Sequence, residues 1–318
     1  MMKKVNYGFL AMFLPLIAQG ADRLVVALDW LPNPNHSGLY VAMDKGYYSE
    51  NDIKVEIAPY GEIRPEQLVA IKRADVAFMG AEGLMIANNS DVDVTAIAAA
   101  LSENAQYVAA NADSGIERPR DFVGKAYASW TNGWDTALIN QMIKVDGGEG
   151  IVKSPDLGLY GPTALFAHKV DLAWLFDNVE TPVADKQGIK LNKFHFKDYG
   201  LASYGSPILV VRTADLAEDP DIYGRFIRAT EKGYLWAAEH PKEAALIITE
   251  LNPPGTFEDQ ALLLEQQKIS SDYYVGPMGW GKMNDAEMQK LADFMVNNQI
   301  VDNRDSLKYT NQFFSNGQ

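Results

Sequence analysis

Tryptophans and carboxylates gather behind the strand-like runs of this chain. Leu24–Leu28 runs into Asp29-Trp30-Leu31-Pro32-Asn33-Pro34-Asn35-His36, and Asp75–Met79 into Gly80-Ala81-Glu82-Gly83. Gly124–Ala128 runs into Ser129-Trp130-Thr131-Asn132-Gly133-Trp134-Asp135, and Asp171–Leu175, which contains Trp174, into Phe176-Asp177-Asn178-Val179-Glu180. A fifth segment, Asp198-Tyr199-Gly200-Leu201-Ala202-Ser203-Tyr204-Gly205, precedes another apolar run. Of the six tryptophans, Trp30, Trp130, Trp134 and Trp174 fall at these places. So do Asp29, Glu82, Asp135, Asp177, Glu180 and Asp198, without a single Lys or Arg. Anionic ligands are held by Arg, Lys or open helix N-termini. Rings and carboxylates without cations suit a flat ligand that donates hydrogen bonds or carries positive charge. An aminopyrimidine has that chemistry: an exocyclic amine for a carboxylate and two faces for stacking. The same residues also fit a plain structural reading, with tryptophans in the core and acids solvated at loop ends.

No other chemistry competes. His36 follows Pro34-Asn35 at an expected helix start, where a histidine caps or packs as readily as it binds. The chain has four His and no Cys, which removes disulfides, thiol nucleophiles, zinc–thiolate sites and iron–sulfur clusters. No HExxH, GxSxG or GxxxxGK[ST] motif occurs, and Asn89-Ser90-Asp91-Val92-Asp93 lacks the calcium-loop pattern. No catalytic residue, metal or cofactor is expected.

The elements that must position these loops alternate strand and helix, which predicts mostly parallel α/β layers. Ser37–Lys45 reads as a helix stopped by Gly46, Lys54–Ala58 as a strand and Pro65–Arg73 as a helix. Residues 70–78 (AIKRADVAF) echo residues 166–174 (FAHKVDLAW), each a helix end passing through Asp into a strand that closes on an aromatic. From Asp219 onward the texture turns helical, over Asp219–Glu239, Pro241–Leu251, Phe257–Ile269 and Asp285–Asn298. At 318 residues the chain exceeds one ordinary core, so two lobes are expected: residues 21–110 with 209–318, and residues 111–208. Tyr107–Ala110 and Ile208–Val211 are expected to be paired crossovers. The N-terminus has Lys3, Lys4, an apolar stretch from Gly8 to Ala18 and the small-residue site Ala18-Gln19-Gly20. That layout predicts a signal peptide over residues 1–20, without a lipoprotein cysteine, and a periplasmic protein that does not insert into a membrane. The net charge of −14 argues against nucleic-acid binding.

The run LDWLPNPNHSGLYVAMDKGYYSENDIKVEI (Leu28–Ile57) resembles the opening of the periplasmic binding proteins for thiamine pyrimidine precursors, a branch of the nitrate/sulfonate/pyrimidine binding family of ABC importers. Ala173–Glu180, Asp198–Val211, Phe226–Ile248 and WGKMND (Trp280–Asp285) resemble later parts of the same family. The resemblance implies a type II periplasmic-binding-protein fold, two α/β lobes with a hinge of two crossovers. It also implies a small heteroaromatic ligand between the lobes and an ABC transporter permease as partner. Asp29, Trp30 and His36 match the family opening, Glu180 the turn glutamate and Tyr204 the crossover aromatic. Glu82, Trp130, Asn132, Trp174 and Asp177 join them as expected ligand contacts from their strand-end positions. Val179 stands where the family often has Trp. The alternatives are another small ligand (a sulfonate, a flavin precursor or an organic cation) or the family's pyrimidine-forming enzyme. That enzyme has a Lys and a His where Met79 and Gly83 stand here, and a cysteine-rich motif that this chain lacks.

Overall fold

The computed structural model describes residues 20–58, 60–129, 133–155 and 161–314. The expected signal peptide, apart from Gly20, lies outside the described residues, as do Trp130 and Asn132. The strands are β1 (Asp22–Ala27), β2 (Ile53–Ala58), β3 (Val76–Met79), β4 (Val94–Ala99), β5 (Gln106–Asn111), β6 (Tyr127–Ala128), β7 (Leu172–Phe176), β8 (Leu191–His195) and β9 (Ile208–Arg212). The helices are α1 (Ser37–Asp44), α2 (Pro65–Ala70), α3 (Ala81–Asn89), α4 (Trp134–Val145), α5 (Gly161–Phe166), α6 (Glu180–Lys186), α7 (Thr213–Glu218), α8 (Pro220–Glu239), α9 (Pro241–Glu250), α10 (Gln260–Tyr274) and α11 (Asp285–Asn297).

Two sheets divide the molecule. The first has the order β2-β1-β3-β9-β4 and the second β6-β7-β5-β8. In the first, β1 runs parallel to β2 and β3, while β9 is antiparallel to β3 and β4. In the second, β6 and β7 are parallel and β5 is antiparallel to both β7 and β8. The inserted β9 and the antiparallel β5 make these mixed sheets. The chain crosses between the lobes at residues 100–105 and 196–207.

The expected crossovers need correction. Tyr107–Ala110 does not pair with Ile208–Val211; it is the middle of β5, flanked by β7 and β8. Its residues are fully buried. A continuous apolar run of that kind belongs to the centre of a sheet. Ile208–Val211 is likewise central, in the other sheet, between β3 and β4.

The sequence echo is a structural repeat. Lys72 and His168, at matching places, both take left-handed backbone, with φ of 61° and 53°. The next Asp then ties its strand to a parallel neighbour. Asp75 N–H donates to the Val25 carbonyl at 2.8 Å and its carboxylate accepts from Val25 N–H at 2.7 Å. Asp171 does the same with Ala126, at 2.9 and 2.8 Å. A carboxylate there satisfies an N–H one residue before the parallel ladder begins.

The C-terminal helices pack on the first lobe. Gly233 of α8 faces α1 so closely that a Cβ would lie 2.0 Å from the Gly38 carbonyl oxygen. Only glycine permits that approach. Buried hydroxyls then grip the loop before α1. Tyr234 donates to the Asn35 carbonyl at 2.5 Å, Tyr274 to the Pro34 carbonyl at 2.6 Å, and Ser37 to Gln267 at 2.5 Å. The late helical cluster thus fixes the loop that carries Asp29 and Trp30.

Candidate ligand-binding cleft

Between the two sheets lies a cleft of about 390 Å³. Asp29, Trp30, Phe78, Glu82 and Tyr60 line it from the first lobe, and Gln106, Trp134, Trp174, Phe176 and Glu180 from the second. Ser206 and Pro207 of the second crossing close the floor. In open α/β sheets, ligand sites form beyond the carboxyl ends of strands, and β1, β3 and β7 end here.

The aromatic walls differ in setting. Trp30 stands at the rim, 36% exposed, with its ring centroid 5.1 Å from Tyr60. Trp174 is nearly buried, edge-on to Trp134 at 5.1 Å and against Phe196 at 4.4 Å. It serves both the second lobe's core and the cleft surface.

Asp29 is oriented by His36. The His36 Nδ1 accepts from the Asn33 N–H at 3.3 Å, so Nε2 carries the proton and donates to Asp29 Oδ1 at 2.7 Å. His36 itself is fully buried, edge-on to Phe78. It holds the acid and does not face the cleft. Glu82 lies in the first turn of α3, nearly buried, and accepts from the Tyr204 hydroxyl. Burial pushes the Glu82 carboxyl above its ordinary value, against the pull of Tyr204 and of its own backbone N–H. Tyr204 is therefore a buried support beneath the cleft wall. Glu180 opens α6, and its Oε2 accepts from the Phe176 N–H at 2.9 Å.

Asp177 is placed elsewhere. It lines a separate groove, with Ser102, Glu103 and Tyr273. It accepts from His195 at 2.7 Å, Lys193 at 2.9 Å and Tyr273 at 3.2 Å. Burial opposes its charge, yet the hydrogen bonds from His195 and Lys193 win and hold its carboxyl at about 2. Asp135 is also turned inward, accepting from Tyr127 and Ser129. Alternation along a strand and the turn after it decide which acid faces the cleft, and loop membership alone does not.

Tyr60, Arg64, Gln106 and Phe78 belong to the cleft and were not singled out from the sequence. Tyr60 and Arg64 follow β2, and the strand-end rule applied to that loop would have found them. Arg64 adds a cation to a cleft read as lacking one, with its Nε 3.7 Å from Glu66. Gln106 and Phe78 sit within strands, where no loop signal marks them.

Among the described residues no helix is long and apolar enough to cross a membrane. A relative from Halalkalibacterium halodurans, the formylaminopyrimidine-binding protein, is 26% identical over 270 residues, covering 82% of this chain and 81% of its own. A 4-amino-5-hydroxymethyl-2-methylpyrimidine phosphate synthase from Legionella pneumophila is 25% identical over 237 residues, covering 73% and 74%. The crystal structure of the periplasmic aliphatic sulphonate binding protein of Escherichia coli superposes with a TM-score of 0.63 at 12% identity, covering 93% of both chains. That likeness establishes the type II periplasmic-binding-protein fold. Residues 33–244 match the profile described as NMT1/THI5 like, and the chain belongs to the NMT1/THI5-like family.

Proposed function

We propose that this protein is the exported substrate-binding component of an ABC importer and takes an aminopyrimidine of the thiamine pathway, of the hydroxymethyl or formylaminomethyl type. The observation that carries this reading is the make-up of the cleft. Rings from both lobes (Trp30, Tyr60, Trp134 and Trp174) surround the carboxylates of Asp29, Glu82 and Glu180. Flat ligands gain from stacking, and amine donors gain from desolvated carboxylates. The protein does no chemistry in this reading. Ligand contacts from both walls favour the closed arrangement of the lobes, and a permease recognises that population. In this reading residues 1–20 are a signal peptide and the mature chain works in the periplasm. The similarity to the Legionella pneumophila synthase favours an enzymatic reading, but Met79 and Gly83 stand where the resemblance to the pyrimidine-forming enzyme implies Lys and His.

A titration of the purified protein with 4-amino-5-hydroxymethyl-2-methylpyrimidine and its formylaminomethyl counterpart tests the proposal. Glu180→Gln, which turns an acceptor pair into a mixed donor and acceptor, is expected to weaken binding about tenfold or more. Full affinity in that variant would remove Glu180 from the site. Thermal stabilisation by taurine and by neither pyrimidine would replace the ligand assignment, since only a ligand of the folded state raises the melting temperature.

A further inference from the structure

Gln106 opens β5 directly opposite Phe176 of β7, and Val108 stands opposite Trp174. Directly opposed residues share a sheet face, and every second residue returns to it. Gln106, Phe176 and Trp174 therefore form one surface, and all three line the cleft. The Phe176 N–H is held by Glu180, which brings that carboxylate to the same strand end.

Gln106 is only 7% exposed, and its backbone N–H is satisfied by Asn104 at 2.8 Å. Its side-chain oxygen is buried with no hydrogen-bond partner among the described residues. Of the described residues with such an atom, Gln106 alone lines the cleft. A buried acceptor left unpaired destabilises the empty cleft. A donor arriving with a ligand removes that cost.

The chemistry of the neighbours narrows the donor. A carboxylate only accepts, whereas a carboxamide offers an oxygen and an NH2 side by side. That pair matches an amine beside a ring nitrogen, much as glutamine pairs at once with the amine and a ring nitrogen of adenine, N6 and N7. Resting on the aminopyrimidine reading of the cleft, we propose that Gln106 is a specificity-determining residue that reads this amidine edge. Its oxygen accepts from the exocyclic amine and its NH2 donates to the adjacent ring nitrogen.

The test uses two probes, 4-amino-5-hydroxymethyl-2-methylpyrimidine and the analogue with hydrogen in place of the amine. Both are titrated into the wild-type protein, Gln106→Met and Gln106→Glu. The wild type is expected to prefer the amino probe about tenfold, the worth of one well-formed hydrogen bond. Gln106→Met, of similar shape, removes both bonds to the amino probe and one to the analogue, so the preference collapses. Gln106→Glu keeps an acceptor for the amine and loses the donor for the ring nitrogen, so both probes weaken while the preference remains. It also keeps the test decisive if the Met variant fails to fold. An unchanged preference in Gln106→Met, or equal loss of preference in both variants, would overturn the role of Gln106 and leave the function standing. A wild type that binds neither probe would overturn both.

Discussion

The α2–β3 unit of the first lobe and the α5–β7 unit of the second are alike until their strands end, and then they part. Each has a left-handed residue, Lys72 or His168, and an aspartate that clasps the backbone of a parallel neighbour. Each places an aromatic in the cleft, Phe78 or Trp174, and each is followed by a helix with a glutamate in its first turn. Beyond that point the polar partners differ. Glu82 meets a tyrosine hydroxyl in a buried setting. Glu180 meets a backbone N–H beside Gln106, and the extra acid of the second lobe, Asp177, is drawn to Lys193 and His195. The repeated unit sets where a side chain stands. Its partners set whether that side chain is available to a ligand.

The first way to break this comparison is to remove its shared part. Asp75→Ala and Asp171→Ala each delete a charged acceptor from a backbone N–H. Each is expected to cost about 2 kcal/mol in urea unfolding, the range for hydrogen bonds to charged groups. Costs that match within about 0.5 kcal/mol would make the repeat energetic as well as geometric, whereas a difference above about 1 kcal/mol would make it a likeness of shape alone. A smaller effect is expected where the units differ. Tyr204→Phe removes the hydroxyl donor to Glu82 and should cost about 1 kcal/mol, with the fold retained because the ring still fills its place.

Much of this architecture is written in local patterns. The helix Ser37–Asp44 ends where Gly46 takes φ of 74°, and α8, α9 and α11 begin and end within a residue or two of their expected places. Periodicity and end residues are local signals, so they survive being read one segment at a time. The crossover at Tyr107–Ala110 was misread because a buried strand and a buried crossing share a short apolar run. Only pairing with β7 and β8 tells them apart. In the cleft, Asp29, Trp30, Glu82, Trp174 and Glu180 were legible from strand-end position. Asp177 was not, since its nitrogen donors Lys193 and His195 come from β8 and its hydroxyl partner Tyr273 from α10. Gln106 was not either, because nothing within β5 reveals that Phe176 and the cleft lie across from it.

The pH dependence of stability separates the two lobes most sharply, because it has opposite sign in each. Asp177 has its carboxyl lowered from 3.8 to about 2. A depressed acid contributes stability that is present above its unfolded value and is lost as pH falls toward the folded one. Between pH 3.8 and 2 the wild type should therefore lose stability that Asp177→Asn does not lose. Glu82 is raised above 4.5 by burial. In that case the folded state holds the proton longer, so the contribution is present below pH 4.5 and is lost as pH rises through the folded value. Glu82→Gln should flatten that loss, and each slope is bounded by about 1.4 kcal/mol per pH unit for one proton. Urea unfolding of the ligand-free protein from pH 3 to pH 7 reads both windows, the first at its upper end. Opposite slopes, each abolished by its own variant, would separate a desolvated acid at the cleft from an acid held by its hydrogen-bond donors. Slopes of one sign would mean that the two carboxylates are held alike, and the distinction between the lobes would then rest on position alone.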